Sequence, residues 1–230
     1  MQRFLVPSLL LLLVGACDET TTGDFQQVDF TPTDCGMNLG CSFSDDLAVG
    51  GEMTVRAEPS DGVGTEVADL QSADPRIAFV DGYYGNDEWS VIGSGVGITD
   101  LVALDAAGAV VDVIRIEVEE PTELFVDGHG QESLRVRAGE VTEWTADVGQ
   151  DVELDVRPAR FGSELMGNML YEAAVSSSMA ASMDFNSNPG EGRLRITAAE
   201  GLHDATFFFG DLRARVLLDV APAAAAPSAE

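Results

Sequence analysis

The side chains able to do chemistry are few and scattered along the chain. Cys35 and Cys41 enclose Gly-Met-Asn-Leu-Gly, and glycines just inside both ends let the backbone fold tightly enough to bring the two Cα atoms within about 6 Å. A structural disulfide is the expectation, contributing on the order of 2 kcal/mol by closing so short a loop. Zinc would need two further ligands at matching spacing, and the 2 histidines, His129 and His203, stand apart from the cysteines and from each other. A redox pair would take the tighter Cys-x-x-Cys form. Either histidine has the chemistry of a general base, but neither is accompanied by a partnered nucleophile.

The stretch Gly93-Ser94-Gly95-Val96-Gly97 fails as a nucleophile elbow, because Ile92 stands where the first glycine of Gly-x-Ser-x-Gly belongs. It is no dinucleotide fingerprint either, since no helix follows; it predicts a turn entering a strand at Gly97. In DGYYGNDEW, Asp81 to Trp89, the side chains of Asp81, Asn86, Asp87 and Glu88 offer hard oxygen ligands of the kind calcium uses. They lack the ordered Asp-x-Asp-x-Asp-Gly spacing of a calcium loop, and the competing reading is a solvated hairpin tip with Trp89 turned into the core. Tyr83 and Tyr84, at the same tip, suit a recognition surface. The expectation is no catalytic residue, no metal and no cofactor.

The elements that must carry these residues read as strands. Met53, Val55 and Ala57 alternate with Thr54, Arg56 and Glu58, and Val152, Leu154 and Val156 alternate with Glu153, Asp155 and Arg157; such alternation marks half-buried strands with the second set facing out. The two runs sit in stretches that start alike, LAVGGEMTVRAEP from Leu47 and ADVGQDVELDVRP from Ala146. Each is followed by a long closing strand, VIRIEV and VLLDV. The repeat is about a hundred residues, the size of one β-sandwich. Turns are expected at Asp81-Gly82, Asp105 to Gly108, Asp127-Gly128 and Gly210-Asp211. One segment, SELMGNMLYEAAV from Ser163 to Val175, has helical spacing and predicts a short helix.

Arg3, an apolar run from Phe4 to Val14 and the small residues Gly15 and Ala16 describe an export signal ending at Ala16. The run is too short to span a bilayer, which takes roughly 20 residues. Three cysteines leave one thiol over in an oxidising compartment. "VGAC" after the leucine run resembles the lipobox of bacterial lipoproteins, and that resemblance implies a diacylglycerol on Cys17, which leaves Cys35 and Cys41 as a pair. Two or three acyl chains, at about 0.8 kcal/mol per buried methylene, hold a soluble domain on a bilayer. The DETTTGD that follows reads as a polar tether with too little apolar surface to pack.

The chain has 40 acidic residues against 12 basic ones, all arginine, for a formal charge of -28. No basic stripe exists to neutralise phosphates, which excludes a nucleic-acid binder and disfavours an electrostatic grip on anionic lipid.

Ser72, Asp74, Pro75, Ile77, Ala78, Val80 and Asp81, followed by Gly97, Leu101 and Ala103, give a pattern similar to group 2 bacterial immunoglobulin-like domains. The resemblance covers roughly Phe43 to Glu120, with Leu70 where the family often places a core tryptophan, and it fades in the second repeat. It implies two antiparallel sheets face to face. The expected organisation is all-β: a signal peptide over 1–16, a lipidated tether over 17–25, one immunoglobulin-like β-sandwich over 26–120, a diverged second over 121–221 and a disordered tail over 222–230. The expected role is non-catalytic binding, adhesion or spacing in the cell envelope, at the outer membrane or cell surface rather than the inner membrane. The expected partners are the membrane, through the lipid, and a protein or cell-surface polysaccharide. The alternatives are a subunit or assembly factor of an envelope complex and, from another class, an enzyme with a site in the second sandwich.

Overall fold

The computed structural model describes residues 20–35, 41–61, 66–129, 141–147, 151–176, 179–184, 193–198 and 200–221. Among these every regular element is a strand. The first half carries β1 (Thr21–Thr22), β2 (Val28–Asp34), β3 (Leu47–Ala48), β4 (Glu52–Pro59), β5 (Asp69–Ser72), β6 (Ala78–Gly85), β7 (Glu88–Gly93), β8 (Gly97–Leu104) and β9 (Val110–Glu119). The second carries β10 (Glu123–His129), β11 (Val141–Asp147), β12 (Asp151–Arg160), β13 (Ser163–Glu164), β14 (Glu172–Val175), β15 (Met179–Asp184), β16 (Arg193–Ala198), β17 (Gly201–Phe209) and β18 (Leu212–Ala221).

Each half forms two sheets. The first orders its strands β1-β2-β4-β7-β6 and β3-β9-β8-β5; the second orders them β10-β12-β16-β15 and β11-β18-β17-β14, with β13 paired to β12. With the short β1 and β13 set aside, the two orders are the same. In both halves the opening strand is divided between the sheets, and its second part runs parallel to the closing strand: β3 beside β9, β11 beside β18. The sequence repeat is this equivalence, since its two copies run from β3 into β4 and from β11 into β12.

Alternation places the first core. Met53, Val55 and Ala57 of β4 are buried with Phe30, Leu70, Trp89, Leu101, Ile116 and Val118. The second core gathers Leu124, Val126, Leu154, Val156, Tyr171, Phe207, Val216 and Leu218. Sheets packed face to face about 10 Å apart need only every second residue apolar.

Several expectations change. Asp155 and Arg157, expected to face out from β12, are 1% and 5% exposed, and Arg157 donates to Glu164 at 2.7 Å. Asp81-Gly82 is not a turn but a bulge inside β6, where the register against β7 shifts between Val80 and Gly82. Asp127-Gly128 lies within β10, paired with Asp155 and Leu154. The other two turns form as expected: Asp105 accepts from the amides of Ala107 and Ala109 at 2.8 Å each, and Gly210 adopts φ 53° ahead of Asp211. The expected helix over Ser163 to Val175 is instead β13, an extended connection and β14.

The expected tether is ordered over its last residues. Thr21 and Thr22 pair with Phe30 and Asp29. The Asp112 carboxylate, fully buried on β9, accepts from the amides of Phe25, Gln27 and Val28 at 2.8, 2.7 and 2.9 Å. Gly23 lies against that carboxylate so closely that a Cβ would sit 2.4 Å from its carbon. Composition predicts no apolar packing here, and there is little; backbone amides satisfied by one buried anion hold the segment instead.

Candidate functional site

Two places concentrate unusual geometry: the junction of the sandwiches and the open edge of the first. At the junction, the connection between β13 and β14 enters the first sandwich. Met166 donates its amide to the Asp46 carbonyl at 2.7 Å, and its own carbonyl accepts from Ala48 at 2.8 Å. Gly167 donates to the Cys35 carbonyl at 2.7 Å; Asn168 and Glu52 exchange both backbone bonds at 2.6 and 3.0 Å. Asn168 Nδ2 also donates to Asp34 at 2.7 Å.

The apolar packing crosses in both directions. Met166, 1% exposed, belongs to the first core, while Ala48 belongs to the second. Leu47 and Ala48 are successive residues of β3, so the period of 2 in a strand turns one toward each core. Backbone meets backbone at Gly51 and Gly167. A Cβ on Gly167, whose φ is +117°, would lie 2.8 Å from the Gly51 Cα. Arg160 forms an ion pair with Glu119 across the same seam. Burial first, and then Glu117, pushes the Asp46 carboxyl above its ordinary value against the opposing pull of Arg160. Burial likewise raises the Tyr171 phenol, against the nearby Arg157.

At the open edge, β6 and β7 form a hairpin whose tip residues Asn86 and Asp87 have φ of 54° and 59°, the paired positive values of a two-residue hairpin turn. Glu88 is held by Arg56 at 2.5 Å, and Trp89 is buried in contact with Tyr83, ring centroids 5.1 Å apart. Tyr84 donates to Glu52 at 2.9 Å. Asn86 and Asp87 thus form the hairpin tip, Glu88 opens β7, and Asp81 lies at the bulge inside β6. Among the described residues no group of three or more His, Cys, Asp or Glu side chains is arranged to hold a metal ion.

The remaining expected residues are placed as follows. Cys35 and Cys41 are bonded, Cα atoms 6.3 Å apart, and both are buried in the first core. Cys17 and the signal lie outside the described residues, as does the tail over 222–230. His129 lies in β10 and a buried His203 in β17, so the structure brings neither to the cysteines. Gly93 closes β7 and Gly97 opens β8, as the turn reading expects. Gly93 passes the Ala48 carbonyl so closely that a Cβ would lie 2.4 Å from its oxygen. In the Ser-x-Asp-Pro stretch, Asp74 accepts from the Arg76 amide at 3.1 Å and donates its own amide to the Thr99 hydroxyl at 2.9 Å. The motif therefore fixes the turn between β5 and β6.

The junction is what sequence reasoning missed. Its signal was Gly167-Asn168, a turn-forming pair in the middle of an apparent helix.

The shared strand order, with β2, β4, β7 and β6 in one sheet and β3, β9, β8 and β5 in the other, and the same arrangement repeated in the second half, defines a tandem of immunoglobulin-like β-sandwiches. A scan against protein-family models gives no match, and a search of curated proteins gives none. Among solved structures the chain is similar to domains 5–6 of the S-layer protein SbsC, with 14% identity over 80% of this chain and 95% of that one, at a TM-score of 0.33. It is similar to the D00-D0 domain of intimin, with 12% identity, coverage of 77% and 95%, and a TM-score of 0.27. Fibronectin(III)-like modules of Clostridium thermocellum CbhA match at 12% identity, coverage of 81% and 94%, and a TM-score of 0.25. The likeness is in β-sandwich architecture.

Proposed function

We propose that this chain is a lipid-anchored, non-catalytic envelope protein whose two sandwiches act as one rigid unit for spacing and binding at the outer membrane or cell surface. The observation that carries the reading is the junction. Domains joined by a polar linker move by default, whereas here five backbone hydrogen bonds and reciprocal burial of Met166 and Ala48 tie the two cores together. A chain that ties its domain boundary together in this way is built to hold positions.

The ordered N-terminal segment sharpens the anchor. With a lipid on Cys17, four residues reach Thr21 in β1, a span of at most about 14 Å. The first sandwich would sit close against the membrane, as a member of the group 2 bacterial immunoglobulin-like type.

Protease shaving of intact cells, with Cys17→Ser as control, tests this function. Removal of the sandwiches from whole cells, and release of the variant from membranes, is the expected result. Retention of the variant in the membrane fraction would end the lipid-anchor reading. Protection until the envelope is opened would move the protein to the periplasm and favour a subunit of an envelope complex.

A further inference from the structure

β5 and β6 are the outer strands of opposite sheets in the first sandwich, and a groove of about 330 Å³ opens between them. Phe79, Tyr83 and Trp89 line it together with Asp69, Gln71 and Asp81. Trp89 is buried, whereas Tyr83 is 59% exposed, so its ring remains available to a ligand. No described lining residue is basic. We propose that this groove binds a basic side chain, lysine or arginine, presented by a partner protein.

Three features select that occupant. Aromatic faces attract a cation held within about 6 Å of the ring centre, and two carboxylates on the same rim add to the attraction. The aliphatic stem of a basic side chain packs on the apolar lining while its charged head stays at the acidic mouth. The volume lies at the small end of ligand pockets, which begin near roughly 300 Å³, and suits a side chain better than a folded segment.

Strand addition is poorly served here. β6 is broken by two register shifts, at Val80/Gly82 and Tyr83/Gly85, and β5 has only 4 residues. Bulges and short edges are how sheets resist a pairing strand, so recognition falls to side chains. The field of 40 acidic against 12 basic residues also draws cationic partners toward the surface.

The test is an NMR titration of the isotope-labelled full-length chain in detergent at about 0.15 M salt, where long-range attraction is screened beyond about 8 Å. The probes are blocked Gly-Lys-Gly and Gly-Arg-Gly peptides, the norleucine analogue, choline and a neutral oligosaccharide. Saturable shifts of the Trp89 indole N–H and the Asp81–Gly85 amides are expected with the lysine or arginine peptide and not with norleucine. Asp69→Asn with Asp81→Asn should weaken that binding by about threefold to fivefold, and Tyr83→Ala should weaken it comparably. Both changes are at exposed positions, and unchanged amide spectra elsewhere confirm the fold. No shift with either basic peptide overturns the proposal. Tighter binding of choline, or binding of the saccharide alone, overturns it in favour of a lipid headgroup or a glycan.

Discussion

The two sandwiches share a strand order and differ in the connection that leaves the strand beside the opening one. In the first, β4 passes to β5 through residues 60–68; in the second, β12 passes to β14 through 161–171, and that passage includes β13 and the Met166 to Asn168 segment that bonds to the first sandwich. The outward faces differ in the same place. β4 turns Thr54, Arg56 and Glu58 away from its core, whereas β12 has Asp155 and Arg157 buried on the corresponding side. One core plan therefore tolerates two uses of a loop. A connection that closes one sandwich has become, in the other, the means of gripping its neighbour.

The largest break in that comparison should come from Gly167→Val. A β-branched side chain at φ +117°, 2.8 Å from the Gly51 backbone, adds left-handed strain to overpacking and should cost about 3 kcal/mol or more. Scanning calorimetry should show one unfolding event for the unaltered tandem and two for the variant. Met166→Ala should follow at about 2–4 kcal/mol, because it empties a site in the other sandwich's core. Leu170→Ala, four residues on and 87% exposed, should stay within about 0.5 kcal/mol; equal losses at the two would deny the difference between them.

Replacing both Cys35 and Cys41 by serine should cost about 2 kcal/mol. Because the Cys35 carbonyl holds the Gly167 amide, hydrogen exchange at Gly167 should rise while β17 and β18 stay protected. The smallest effect is at Asp46. Its raised value means the folded chain holds that proton more tightly than the unfolded one, so its contribution to stability is present below the ordinary value of 3.8 and is lost as pH rises through the raised value. Asp46→Asn should stabilise the tandem at neutral pH by roughly a few tenths of a kcal/mol, after allowance for solvent screening, with melting temperature against pH as the readout. Asp204, held below its ordinary value first by its bond to Arg215, has the opposite sign: its contribution is present at neutral pH and is lost on acidification.

What the sequence made legible was whatever depends on near neighbours. The alternation of Met53, Val55 and Ala57 names the face of β4, Gly36 and Gly40 announce the closure of Cys35 on Cys41, and the copies at Leu47 and Ala146 mark equivalent strands. What stayed hidden depends on distant partners. The spacing of Leu165, Met166, Met169 and Tyr171 fits a helix face, but the amides of Met166 to Asn168 bond to carbonyls more than a hundred residues earlier, which no local period records. Asp112 is the same case, an acid in an apolar strand whose role appears only once the amides of Phe25, Gln27 and Val28 reach it. The groove between β5 and β6 assembles from two sheets, so Asp81, Tyr83 and Trp89 were visible in one stretch of sequence while Asp69, Gln71 and Phe79 were not seen to join them.

The central claim is that the junction makes the two sandwiches one body. Residual dipolar couplings of the full-length chain, weakly aligned in solution, test it most directly. Backbone couplings from β2 to β9 and from β10 to β18 should fit a single alignment tensor of one magnitude and orientation. Two tensors of different magnitude would show the sandwiches moving independently and would contradict the account.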